Sequence, residues 1–138
     1  MYKVIVFTHG TLGTSLVGSA AMLIGSIEDV DCFSILPGCD LGQAEQQLRQ
    51  CLSRYKAQNI PVLAFSDLFF GTPFNILMGL SREFDFWHIT GVNLPTLIEA
   101  LTPRNQDSSL LPDLIPSIMT SGSRSIVCCN DIVKGQQV

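Results

Sequence analysis

Residues 3–13 read KVIVFTHGTLG, and this stretch decides the architecture expected of the chain. Val4 to Phe7 is an unbroken run of β-branched and aromatic side chains, the pattern of a strand covered on both faces, as in a parallel sheet. The run stops at Thr8-His9-Gly10, and small residues follow. Within TSLVGSAAMLIGS, residues 14–26, the positions Leu16, Ala20, Leu23 and Ile24 recur at helical spacing. A buried strand thus feeds a helix whose small residues let it pack closely on its sheet.

The same alternation continues outward. VDCFSIL (residues 30–36) reads as a second strand, PGCD (37–40) as a loop, and Leu41, Ala44, Leu48, Cys51, Leu52 and Tyr55 mark an amphipathic helix. IPVLAFSD (60–67) is the third strand. In LFFGTPFNILMGL (68–80), Gly71-Thr72-Pro73 precedes an apolar run and proline suits a first helical turn, so a helix is expected from near Pro73. FWHITGV (86–92) is a fourth strand, followed by Asn93 as a helix cap with Pro95 in the first turn. TPRNQDSS (102–109) reads as a polar loop, LLPDLIPSIMTSG (110–122) as a last helix despite Pro112 and Pro116, and RSIVCCND (124–131) as a strand-like segment.

Strands alternating with helices predict an α/β domain with a mainly parallel sheet, here a single domain over residues 1–138. Right-handed crossovers favour a doubly wound sheet of strand order 2-1-3-4 with helices on both faces. In that order strands one and three are neighbours whose helices leave on opposite faces, so a crevice opens at their carboxyl ends. His9 ends strand one and Asp67 ends strand three. Two polar residues far apart in sequence are therefore expected to meet there.

Composition narrows the function. The chain is 46% hydrophobic and only 14% charged, without the roughly 18 uninterrupted apolar residues of a membrane span. Such apolar excess is often covered in a subunit interface, which favours an oligomer. A net charge of −4 with no basic run argues against nucleic acid. The five cysteines are an odd number without a C-x-x-C pair, so neither a disulfide framework nor a zinc site is expected. Met1 runs straight into a strand with no secretory leader, and a reducing cytoplasm fits both observations.

An imidazole at a crevice can act as base, metal ligand or nucleophile. The other histidine, His88, lies within strand four, and no His or Cys stands at metal-ligand spacing from His9. There is no G-x-S-x-G elbow, and Gly10, Gly13 and Gly18 do not match a dinucleotide fingerprint. What remains is His9 as a nucleophile toward phosphorus, its other nitrogen held by the Asp67 carboxylate. Helix starts after Gly10 and at Gly71-Thr72-Pro73 would offer backbone N–H groups to phosphoryl oxygens, and Thr72 a hydroxyl. No metal or cofactor is needed for that chemistry. Each residue also has an ordinary structural use: Asp67 as a turn cap, Thr72 as a turn residue before proline, Asn75 as a partner for backbone, and His88 as a sheet or interface residue.

FTHG after strand one, ILPG after strand two, SDLFFGTPFN after strand three and TGVNLPTLIEAL after strand four together resemble the IIA component of the mannose-type sugar phosphotransferase system. The resemblance covers nearly the whole chain. It implies a cytoplasmic homodimeric phosphotransferase working through phosphohistidine: His9 takes a phosphoryl group from HPr and passes it to a IIB component, which phosphorylates sugar arriving through a membrane IIC/IID permease. By the same resemblance Asp67 orients His9, Thr72 occupies the site's hydroxyl position, and RSIVCCND is a strand exchanged with the partner subunit. The family usually carries two adjacent glycines in the third loop, whereas here Phe70 replaces the first and only Gly71 remains. A bulky residue there is awkward where φ is positive or a partner must approach.

Two other functions use the same domain. One is the phosphocarrier subunit of a dihydroxyacetone kinase; the other is a regulatory, phosphorylation-sensing module, although the chain has no DNA-binding element of its own. A phosphatase or mutase would want arginines around the phosphate, and none neighbours His9 in sequence.

Overall fold

The computed structural model describes residues 1–102, 107 and 111–135. The polar loop expected over residues 102–109 lies outside the described residues except for Thr102 and Asp107, as does Leu110. Four strands, β1 (Lys3–His9), β2 (Val30–Ile35), β3 (Val62–Ser66) and β4 (Trp87–Thr90), alternate with helices α1 (Leu12–Ile24), α2 (Leu41–Ala57), α3 (Thr72–Leu80) and α4 (Leu94–Leu101). Two helices follow, α5 (Leu111–Ser123) and α6 (Cys129–Val133). The sheet has the order β2-β1-β3-β4 and is parallel throughout, as the sequence predicts. No helix among the described residues is long and apolar enough to cross a membrane.

Alternation along β1 builds two cores. Val4 and Val6 point to one face, where Ala20 of α1, Leu97 and Ala100 of α4, and Ile118 of α5 pack with Leu63 and Phe65. Ile5 and Phe7 point to the other, against Leu48, Leu52 and Tyr55 of α2 and Leu77 and Leu80 of α3. All of these side chains are buried, and burying one such aliphatic or aromatic side chain is worth about 1.5–3 kcal/mol. The unbroken hydrophobicity of β1 and β3 is thus explained, since both of their faces are covered.

Small residues let the helices close on the sheet. A Cβ on Gly13 would stand 3.0 Å from Val6 Cγ1 and 3.1 Å from the Thr8 hydroxyl, and the Gly13 amide donates to that hydroxyl at 2.8 Å. Gly122 does the same between α5 and α4, where a Cβ would overlap the Thr96 methyl. Thr96 belongs to the capping box of α4: its amide donates to the Asn93 side chain, and its hydroxyl accepts from the Asn93 amide. Gly122→Ala gains at most about 1 kcal/mol of helix propensity but forces overpacking that typically costs about 1–3 kcal/mol and disturbs this cap. The expected result is a lower midpoint in thermal unfolding; a midpoint at or above wild type would show that α4 and α5 separate freely.

Two details depart from the sequence reading. Leu23, expected on the inner stripe of α1, is 64% exposed, while Leu16 and Ile24 flank the core. Residues 124–131 form no strand within the chain: Cys128 is extended and α6 begins at Cys129, with Ile126, Ile132 and Val133 exposed. The outer edge of β4 has no strand beside it among the described residues, so the pairing that would make this segment a strand is not supplied by the same chain.

Candidate functional site

The carboxyl ends of β1 and β3 bring together the two residues singled out in the sequence. Phe7 lies opposite Ser66 in the parallel register, so the next residues on each strand leave the sheet side by side. The His9 Nδ1 stands 2.9 Å from Asp67 Oδ2, and the same oxygen accepts the His9 backbone N–H at 2.9 Å. Asp67 Oδ1 accepts the Leu68 N–H at 3.0 Å. A carboxylate has no proton to give, so Nδ1 carries the hydrogen and the lone pair is left on Nε2. The His9 side chain is 46% exposed and that of Asp67 only 10%.

Burial opposes ionisation of Asp67, but the hydrogen bonds from the His9 amide and imidazole outweigh it and hold the carboxyl below its usual range. The grip is therefore complete at neutral pH and is lost only as pH falls through that lowered value. Asp67 does serve as a turn acceptor, through Leu68, and does so while holding the imidazole.

Helix starts around the site differ from those of α2 and α4. The Asp40 side chain caps α2 by accepting from Gly42 and Gln43, and Asn93 caps α4. α1 and α3 leave β1 and β3 beside His9, and their N-cap residues, Thr11 and Gly71, make no side-chain cap bond, although the Thr8 hydroxyl takes the Gly13 amide of α1. The first-turn amides left over, excluding Gly13 and the N–H that Pro73 lacks, are the groups an anion would satisfy. Gly71, the N-cap of α3, approaches so closely that a Cβ would stand 3.0 Å from His9 Cε1. Here glycine is required by contact, since its φ is an ordinary −75°.

Thr72 is the first residue of α3 and lines a groove of about 370 Å³ with Leu41, Glu45, Asn75 and Ile76. Asn75 donates to the Phe70 carbonyl at 3.4 Å, the backbone use expected as its alternative. His88 is a sheet residue: its Nε2 pairs with the buried Ser66 hydroxyl at 2.8 Å, and Ser66 donates to Thr90 at 2.9 Å. Burial lowers the pKa of His88, which favours its neutral form. A separate cleft of about 430 Å³ lies at the opposite ends of β3 and β4, lined by Leu52, Lys56, Phe84 and Trp87.

The third loop carries the awkwardness that the sequence signals at Phe70, and adds an aromatic cluster that the sequence left unread. Phe70 has φ 63°, the left-handed conformation that a glycine would adopt freely. Its ring lies 4.1 Å from that of Phe69 and 5.4 Å from that of Phe74, which in turn rests 5.5 Å from the His88 imidazole. The FFG run was the available signal.

Asp67→Asn should leave the fold intact while weakening the hold on Nδ1. Groups that orient a histidine from behind commonly matter by about 10–100-fold, and loss of this size is expected in any reaction at Nε2. Rates equal to wild type would reduce Asp67 to a turn cap.

Comparison with known proteins agrees with this geometry. The family described as PTS system fructose IIA component, EIIA-man, matches residues 3–118. The mannose-specific EIIAB component of the phosphotransferase system of Escherichia coli K12 is 27% identical over 130 residues, covering 89% of this chain; the chain spans 38% of that relative's length. The crystal structure of a phosphotransferase system component EIIA from Streptococcus agalactiae superposes with a TM-score of 0.83 at 27% identity, covering 94% of this chain and 98% of its own. The mannose/sorbose-specific IIA subunit from Enterococcus faecalis gives 0.78 at 25% identity, covering 92% and 93%. With the strand order, the crevice and the matched family in agreement, the chain belongs to the EIIA-man family, the mannose-type IIA components of the sugar phosphotransferase system.

Proposed function

We propose that this chain is a cytoplasmic phosphocarrier that accepts a phosphoryl group from phospho-HPr on His9 and passes it to a IIB component, and through it to sugar entering by a IIC/IID permease. The observation that carries the reading is the His9 Nδ1 to Asp67 Oδ2 bond of 2.9 Å, set beside two helix N-termini whose N-cap residues make no side-chain cap bond. The Nε2 lone pair attacks phosphorus as the donor's bond to phosphorus breaks and its electron pair stays on the donor atom. Nδ1–H remains on Asp67 and balances the charge that develops on the ring. First-turn amides of α1 and α3 and the Thr72 hydroxyl receive the phosphoryl oxygens. Onward transfer to IIB reverses the same steps. The whole of residues 1–138 serves as one carrier domain, paired as a homodimer.

The test is incubation with phosphoenolpyruvate, enzyme I and HPr. Each chain should gain a phosphoryl group that is labile in acid and stable in alkali, as expected of a phosphorus–nitrogen bond to imidazole. The phospho-protein should then discharge to a cognate IIB. Discharge to a dihydroxyacetone kinase subunit instead would place the chain in that branch, and failure with every HPr tried would end the carrier reading.

A further inference from the structure

Phe70 is held in a backbone conformation that favours glycine, at φ 63°. Asn59, the other such residue among the described non-glycines, is of a type that tolerates it; a bulky aromatic is not. Strain of this kind persists where something else selects for it. Folding of the chain does not, because the Phe70 ring is 70% exposed and its neighbour Phe69 is 60% exposed. The rings pack on one another and on Phe74, which fixes their direction without hiding them. The next residue, Gly71, stands so near the His9 imidazole that a Cβ there would lie 3.0 Å from Cε1. A protein that brings a phosphoryl group to Nε2 therefore docks beside the loop that carries the two rings. Residues 68–74, LFFGTPF, carry no charge, and Leu68 beside them is exposed as well.

We propose that Phe69 and Phe70 form an apolar knob that selects the phosphoryl-donor protein, which must offer an apolar recess next to its own phosphoryl-bearing residue. The inference rests on the carrier reading above. Exposed aromatics that become buried at the centre of a contact are the residues whose removal costs most affinity. A macromolecular donor has the area to meet them, whereas a small phosphoryl donor at Nε2 has no need of the two rings.

Two donors separate these effects: phospho-HPr and phosphoramidate. Phe70→Gly should raise KM for phospho-HPr roughly tenfold with kcat at saturation unchanged. Labelling by phosphoramidate, the His9 imidazole resonances and the thermal midpoint should not fall, because glycine adopts this φ without strain. Phe70→Tyr should restore KM to within about twofold of wild type, since it keeps the ring. An unchanged KM in Phe70→Gly would overturn the knob and leave the carrier reading standing. Equal losses with both donors, accompanied by shifted imidazole resonances, would also overturn it by showing that the ring sets the loop and not the contact. A wild type labelled by phosphoramidate but by no phospho-HPr would overturn the carrier reading itself, and this inference with it.

Discussion

His9→Ala should abolish labelling by phospho-HPr while circular dichroism and molecular mass stay as in wild type. The imidazole stands half in solvent at the end of β1, so its removal opens no cavity in either core. Nor does it orphan Asp67, whose oxygens keep the His9 backbone N–H and the Leu68 N–H. Stability should accordingly change by less than about 1 kcal/mol. The chemical loss is complete because no other nucleophile in the crevice has an oriented base behind it. His88→Ala is the comparison. It deprives the buried Ser66 hydroxyl of a partner and Phe74 of a neighbouring ring, so it should unfold earlier yet still be labelled. Labelling that survives in His9→Ala, or vanishes in His88→Ala at a temperature where that variant is folded, would move the reactive nitrogen to the wrong residue.

Removing residues 124–138 should convert the proposed dimer into a monomer with the α/β spectrum retained. The deleted stretch begins after α5 and includes α6, which buries none of its residues, so the two cores stay intact. What disappears is a run with Ile126, Ile132 and Val133 exposed; the β4 edge of the sheet, which pairs with no further strand among the described residues, carries an exposed Trp87. Exposed apolar side chains and an unpaired strand edge attract each other across subunits. The five-residue α6 is short enough to be given up for an added strand, since isolated helices of that length are marginal. Light scattering decides the matter: a truncated protein that remains dimeric would rule out exchange of this segment.

The sequence was most legible where one physical demand acted alone. Continuous apolar runs at Val4 to Phe7 and Val62 to Phe65 could only be strands covered on both faces, and right-handed crossovers then ordered the sheet. Asn93 followed by Pro95 marked a capped helix, and it forms a complete capping box. His9 and Asp67 were legible as a pair because topology places the ends of β1 and β3 together. Legibility failed where demands competed. α1 is apolar on most of its surface, so spacing did not distinguish the inward Leu16 from the outward Leu23. The β-branched run at Ile126-Val127 suits a strand only if an edge is offered, which is a tertiary matter. For Phe70, residue type argues against positive φ, and only the aromatic packing around it reveals what holds it there.

The two-sided burial of the central strands bears on how the molecule breathes. β1 and β3 are buried along nearly their whole length, whereas most residues of β2 and β4 are only partly covered. Local opening starts where the fewest contacts must be broken, so the flanking strands fray first and exchange their amide hydrogens soonest. The imidazole and its carboxylate ride on the two strands that open last. Excursions that loosen the rim therefore leave the His9–Asp67 pair in register, and the protein can flex where it meets other molecules without losing the atom that does the chemistry.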